Sequence, residues 1–236
     1  MSRILKQYDE ETLFLSYHGE NGFYYPYIDD RIENMSRNGP FDKWLLEKYS
    51  GGDLQILTTD IVIDCGSFVG AFSIASYKKN VQRIFSVEPS TRNFKSLNLN
   101  IHHYNAENKI TSVNIGLGNK CAKLKLNLSE LSCENSFLKC DQGATGKTEI
   151  VDVKTLDIFI KENDIDVDNL YLKVEAEGFE PEIIQGLGNN RPRVIAVDVT
   201  AERNMESPRV EIENQLKKWG YETYNTHRCL FGLKDE

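Results

Sequence analysis

The sequence predicts an α/β domain built on a mostly parallel sheet of seven strands whose final strand is antiparallel. Three observations carry this. From residue 61 onward, short apolar runs alternate with segments of helical spacing, which is how strands joined by crossover helices read. The run at 194–199 is nearly all apolar, as a strand covered on both faces must be. The run at 61–65 breaks at once on Gly66 and resumes in a helical pattern, the strand–turn–helix unit of a nucleotide-type fold.

Residues 61–65 and 83–88 form the first two strands, with a helix over 71–79 between them. Ser90 caps a second helix, in which Phe94, Leu97 and Ile101 recur at the spacing of one buried face. Residues 110–115 are the third strand. Leu124, Leu126 and Leu128 alternate, and residues 150–153 do so less cleanly, on either side of a polar loop at about 129–148. This reads as a small β-hairpin insertion at the sheet edge. A short helix at 155–163 and a fourth strand at 170–175 follow. Pro181 suits the first turn of a helix that ends near Gly186 and Gly188. After the fifth strand, Ser207-Pro208 opens a helix with Ile212, Leu216 and Trp219 on one face, and Gly220 stops it. Residues 221–225 and 229–233 close the sheet as an antiparallel pair.

Residues 1–55 differ from the domain at 56–236. They are polar, rich in tyrosine and broken by Gly-Pro and Gly-Gly pairs, and are expected to form an N-terminal cap or lid. The cluster Phe23, Tyr24, Tyr25 and Tyr27 either packs on the domain or faces a substrate, packing being the simpler reading.

At 236 residues the chain suffices for one such domain with a sizeable core. A formal net charge of -8 argues against a general nucleic-acid binder, which needs a basic stripe for phosphates. No apolar run approaches the roughly 20 residues of a membrane span. Five cysteines without a Cys-x-x-Cys pair, and an N-terminus without a signal peptide's apolar middle, lead us to expect a cytoplasmic protein with reduced thiols.

The candidate chemistry begins at Asp64-x-Gly66-x-x-x-Gly70. An acidic residue, Glu88, ends the second strand 24 positions after Asp64 and is placed to hold two ribose hydroxyls. The loop lacks the central glycine that admits a pyrophosphate, which argues against an NAD-type oxidoreductase and for a nucleoside without phosphates. S-adenosylmethionine is the common example; its amino group and sulfonium favour an acidic surround such as Asp64. The stretch at Asp141 to Thr148 imitates a phosphate loop, but Asp141 stands where the first glycine belongs, so ATP is rejected.

Asp64-Cys65-Gly66-Ser67-Phe68-Val69-Gly70, then Val87-Glu88-Pro89-Ser90 and Phe94-x-x-Leu97-x-x-Asn100, resemble the FkbM family of S-adenosylmethionine-dependent methyltransferases. Gly116-Leu117-Gly118-Asn119, Thr155-Leu156-Asp157 and the run Lys173-Val174-Glu175-Ala176-Glu177-Gly178-Phe179-Glu180 are similar to further segments of that family, in the same order. The chain departs from it at Ser67-Phe68, where the family usually has Ala-Asn, and at Glu175, where it usually has Asp. The resemblance covers roughly residues 60–200 and implies a Rossmann-like class I methyltransferase fold that methylates oxygen on a sugar, polyketide or similar metabolite. It also implies that Asp64, Gly66, Ser67 and Gly70 lie along the cofactor. By the same analogy Glu88, with Pro89 beside it, holds the ribose, and the turn at Gly116 and Leu117 approaches the adenine.

Beside the resemblance stands an independent reading of Glu175 and Glu177. Two apart at the end of a strand, they face the same side if the strand continues. Adjacent carboxylates raise one another's pKa, which makes one a usable general base. The pair could instead take Mg²⁺, although no metal site is predicted, or Glu177 could cap the next helix or pair with Lys173 or an arginine. His227, between the last two strands, is a further candidate to accept a hydroxyl proton. The expected acceptor is a small molecule or carbohydrate, with no nucleic-acid or membrane partner. A catalytically silent nucleoside-binding module is the alternative, since the substrate side departs from the family pattern.

Overall fold

The computed structural model describes residues 3–17, 20–37, 40–50, 54–140, 143–203 and 205–234. Within them the chain opens with a three-stranded antiparallel meander, β1 (Arg3–Gln7), β2 (Leu13–Tyr17) and β3 (Glu20–Tyr25). Helices α1 (Asp30–Arg37) and α2 (Phe41–Tyr49) follow. The alternation then begins with β4 (Ile61–Cys65), α3 (Ala71–Lys78), β5 (Arg83–Val87), α4 (Thr91–His103) and β6 (Ile110–Val113). An excursion of three strands comes next, β7 (Gly116–Gly118), β8 (Ala122–Ser129) and β9 (Ala144–Thr155). The chain returns through α5 (Leu156–Glu162), β10 (Leu170–Val174), α6 (Glu180–Gln185) and β11 (Val194–Asp198). It finishes with α7 (Arg209–Lys218), β12 (Tyr221–Asn225) and β13 (Cys229–Lys234).

The main sheet has seven strands in the order β12-β13-β11-β10-β4-β5-β6. Strands β4, β5, β6, β10 and β11 are parallel, and β13 runs antiparallel between β11 and β12. The expected mostly parallel sheet with an antiparallel final strand is therefore present. The chain winds outward from β4 to β6, then restarts at β10 on the other side of β4. That reversal sets the carboxyl ends of β4 and β10 side by side with their loops diverging, which leaves a crevice.

Each face of the sheet is covered. Along β4, Val62 enters one buried cluster while Ile61, Ile63 and Cys65 enter the other, the two-residue period of a strand between two layers. The first cluster joins Phe72, Leu97 and Ile101 of α3 and α4 to Leu15, Phe23, Tyr25, Ile32, Phe41, Leu45 and Tyr49 of the N-terminal segment. The second holds residues of α5, α6 and α7. Asn100 of α4 fastens the segment down, accepting from Tyr24 N at 2.7 Å and donating to Tyr24 O and Val69 O, each at 2.9 Å.

The tyrosine cluster packs. Phe23 and Tyr25 are buried, Tyr24 lies edge-on to Tyr8 and His103, and the Arg92 guanidinium sits over Tyr27. Gly39 and Gly51–Gly52, the expected breaks, lie outside the described residues, as does Asp141.

The expected hairpin has arms of 8 and 12 residues, and β7 adds a third strand parallel to β9. The segment expected to turn at Gly116 and Leu117 is thus extended, held by pairing with Val153 and Lys154. The alternation of β9 reads poorly because much of the strand faces solvent, Ile150 included.

Candidate active site

A cavity of about 1290 Å³ opens over the carboxyl ends of β4, β5, β10 and β11. Its first end is shaped by backbone. Gly66 holds φ +70° directly after β4, and a Cβ there would stand 1.7 Å from Glu175 O, so no other residue fits. Gly66 N and Ser67 N both donate to Val87 O at 3.0 Å, turning the loop towards β5. Phe68, at φ +51°, then donates its N–H to Glu88 Oε2 at 2.8 Å. Glu88 Oε1 accepts from Ser90 N at 3.0 Å and Asn93 Nδ2 at 3.3 Å. Burial outweighs these donors and raises the Glu88 carboxyl to about 7. Ser67 Oγ is buried and has no hydrogen-bond partner among the described residues, although Ser67 lines the cavity. Gly66, Pro89, Gly116 and Leu117 line it as well.

Two expected site residues stand elsewhere. Asp64 lies beneath the floor rather than on the wall, fully buried. It is the register partner of Lys173, whose Nζ is 2.9 Å from Asp64 Oδ1, and it accepts from Ser73 Oγ at 2.7 Å. Its charge is answered by that ammonium and does not reach the cavity bare. Gly70, at φ +85°, begins α3 and packs against Leu97, where a Cβ would meet Cδ1 at 2.4 Å. It packs close against α4 and is not among the residues lining the cavity.

A chain of alternating charge crosses the floor. Lys173 Nζ also lies 3.4 Å from Glu175 Oε2 and donates to Gly66 O at 2.8 Å. Lys48, reaching in from α2, is 2.6 Å from Glu175 Oε1 and 2.5 Å from Asp198 Oδ2. Tyr49 OH and Thr200 N donate to Asp198 in turn. Burial opposes ionisation of Glu175, but the ammonium groups of Lys48 and Lys173 prevail and hold it down to about 2. Both ammonium groups are correspondingly kept protonated against their own burial.

The remaining carboxyls behave in the opposite sense. Strand β10 stops at Val174, and the chain turns there because Glu180 Oε1 takes the N–H groups of Ala176 (2.6 Å) and Gly178 (3.4 Å). Glu177 sits in that turn at φ +49°, so the strand does not continue and parity does not relate it to Glu175. Both still line the cavity. Glu175, not Glu177, pairs with Lys173, and Glu180, not Glu177, caps the turn. Burial and the neighbouring Glu202 and Glu175 raise the Glu177 carboxyl well above its ordinary value. Glu202 is raised to about 8 by burial and by Asp198 and Glu180. His227 is exposed at the rim, in the loop between β12 and β13. Among the described residues no three His, Cys, Asp or Glu side chains gather as metal ligands would.

The family model for the Methyltransferase FkbM domain matches residues 64–223. The chain belongs to the FkbM methyltransferase family. Its fold is that of class I methyltransferases. A crystal structure of the methyltransferase FkbM from Methylobacillus flagellatus KT superposes with a TM-score of 0.55 at 19% identity, over 77% of this chain and 45% of that one. The tRNA m1G37 methyltransferase of M. jannaschii gives 0.51 at 14% identity, over 96% of this chain and 58% of that one. This chain therefore spans about half the length of each of these two structures. No curated protein matches it.

Within this family member, sequence reasoning missed Lys48, Asp198 and Glu202. Asp198 carries the signal that exposed Asp64, an acid closing an apolar strand. Lys48 has none, since a lysine on a polar helix reads as solvated until the helix is seen to dock. The N-terminal segment lines the cavity through Arg31, Asn34 and Met35 of α1 and through Phe41, Trp44 and Lys48 of α2, rather than through its tyrosines.

Proposed function

We propose that this protein uses S-adenosylmethionine to methylate a hydroxyl oxygen of a small or carbohydrate acceptor. The observation that carries the cofactor assignment is the Glu88 carboxyl on the cavity wall beside the unpartnered Ser67 hydroxyl. An acid at the end of the second strand suits the two hydroxyls of a ribose. A buried hydroxyl left unmet costs about 1–3 kcal/mol, which a ligand's polar group would recover. Gly66 and Ser67 would hold the amino-acid part of the cofactor, and Pro89, Gly116 and Leu117 its adenine. When bound, the cofactor supplies a methyl group on a sulfonium, already an activated leaving group.

The protein's own task is then to exclude water, orient the acceptor hydroxyl and take its proton. Glu175, held ionised by two ammonium groups, is a weak base and serves to fix the floor. Glu177, with no hydrogen bond to its carboxylate among the described residues and a pKa raised by burial and by the neighbouring Glu202, is a better base than an ordinary carboxylate and suits proton removal. The rate should accordingly rise with pH above the ordinary carboxylate range as Glu177 loses its proton.

Calorimetry tests the assignment. S-adenosylhomocysteine should bind and NAD should give no heat. Glu88→Ala should weaken that binding by about 10- to 100-fold, the worth of charged hydrogen bonds; unchanged affinity discards the ribose assignment. EDTA should leave turnover unaffected, and a loss would point to Mg²⁺ at Glu177.

A further inference from the structure

We infer that Arg203 is a positioning residue for the proposed base: from outside the cavity it clamps the segment after β11 onto the turn that carries Glu177, and so keeps Glu202 beside that carboxyl. This rests on the reading of Glu177 as the proton acceptor. Glu177 has φ +49°, a left-handed backbone that a residue with a side chain holds only where its surroundings enforce it. Three contacts do so. Glu180 Oε1 takes the N–H groups of Ala176 and Gly178 from within the turn. Ser136 Oγ, from the excursion between β8 and β9, donates to Glu177 O at 2.7 Å. Arg203 Nη1 donates to Gly178 O at 2.9 Å. This last contact differs from the others, because it brings a second carboxyl with it.

Arg203 is itself fixed. Its guanidinium forks onto Glu182 of α6, Nη1 to Oε2 at 2.9 Å and Nη2 to Oε1 at 2.8 Å, a two-pronged grip that lysine cannot reproduce. The residue thus ties together the carbonyl of the turn, helix α6 and the segment at 199–203. The fit beneath it is close, since a Cβ on Gly178 would stand 2.9 Å from Glu202 O. The backbone of Glu202 therefore lies directly on the turn, and the residues Glu177 and Glu202 both line the cavity. Arg203 is not among the residues that line it.

Charge shows what the clamp controls. After burial, Glu202 does most to keep the proton on Glu177, followed by Glu175, Cys133 and Glu180. Glu175 follows β10, Cys133 belongs to the excursion and Glu180 to α6, so of these four only Glu202 rides on the segment that Arg203 holds. The nearby ammonium groups of Lys48 and Lys173 are engaged by Glu175. Releasing the segment would carry Glu202 away, and Glu177 would then give up its proton at lower pH. Loss of the guanidinium charge by itself acts in the opposite sense, because removing a cation makes a neighbouring carboxyl harder to ionise. The two effects differ in sign, so they can be told apart without an acceptor.

Carbon-13 NMR of protein labelled at the glutamate carboxyls reads this directly, with Glu177→Gln and Glu202→Gln assigning the two resonances. In the unaltered protein Glu177 should titrate well above 4.5. Arg203→Met should weaken its hold on the proton by about tenfold or more, and Arg203→Lys, which keeps the charge without the fork, by less. By calorimetry, S-adenosylhomocysteine affinity should stay within about twofold in both variants, as expected of a residue that touches no ligand. A Glu177 midpoint that stays or rises in Arg203→Met overturns the inference. Should that variant fail to fold in thermal melts, an unchanged midpoint in Arg203→Lys overturns it. A loss of S-adenosylhomocysteine affinity beyond about tenfold does the same, since Arg203 would then support the whole cavity rather than one carboxyl. An ordinary Glu177 midpoint in the unaltered protein removes the reading of Glu177 as base and the inference with it. Failure of the unaltered protein to bind S-adenosylhomocysteine removes the cofactor assignment alone, and the carboxyl titration still decides the role of Arg203.

Discussion

The two ends of the cavity are built by different means. The end at Gly66, Ser67 and Glu88 is local, made from a loop and a strand end whose backbone N–H groups set the geometry. The end at Lys48, Glu175 and Asp198 is made by long side chains from segments far apart in the chain, Lys48 and Glu175 being separated by 127 positions. A loop of fixed backbone suits a ligand whose shape never varies. Side chains on a docked helix can be exchanged without disturbing that loop, which is where variation in the acceptor is most easily accommodated.

That contrast breaks if the first end proves tolerant. Gly66→Ala puts a Cβ against the backbone of Glu175 at 1.7 Å, so β4 and β10 must part. We expect a loss of about 3 kcal/mol or more in stability, measured by denaturant melts, and no S-adenosylhomocysteine binding by calorimetry. A variant that folds and binds normally would show the loop to be incidental.

The second end should be costly for stability yet gentler on the cofactor. Lys48→Met leaves Glu175 and Asp198 facing each other without their shared cation, at a cost of about 3 kcal/mol in the same melts. S-adenosylhomocysteine affinity should fall by less than about tenfold, and Lys48→Arg should restore much of the stability. An equal collapse of cofactor binding would mean that the two ends are one unit.

The smallest effects lie in pH. The Glu175 carboxyl is held at about 2 against an ordinary 4.5, so its stabilisation is complete above 4.5 and is lost as pH falls towards 2. Lys48→Met should shift that acid limb to higher pH. Glu202 has the opposite sign. Raised to about 8, it keeps in the folded state a proton that the unfolded chain releases, so stability declines as pH rises from 4.5 to 8. Glu202→Gln should flatten that decline, as followed by thermal melts across the range.

What could be read beforehand follows the same division. Asp64, Glu88 and Glu175 are visible because an acid interrupts an apolar strand, and the positive-φ glycines because the helix pattern starts just beyond them. Lys173 gives a similar sign, a lysine inside a buried run. The relation of Glu175 to Glu177 misleads, since parity assumes an extended backbone and the Glu180 cap ends it at Val174. Asp64 misleads in another way, because its neutralisation depends on sheet register with Lys173, which only strand pairing decides. Lys48 and Trp44 are illegible for the same cause: their helix faces solvent or cavity according to how α2 docks.

That docking bears on how the molecule is made. Lys48 belongs to the second helix of the chain, yet one of its counter-ions rides on β11, so the ion chain is incomplete until residue 198 has left the ribosome. Over that interval the early helix has a half-finished frame to rest on, and its aromatic stripe is open to other nascent surfaces. The charge at position 48 is therefore fully answered only once the sheet as far as residue 198 is in place.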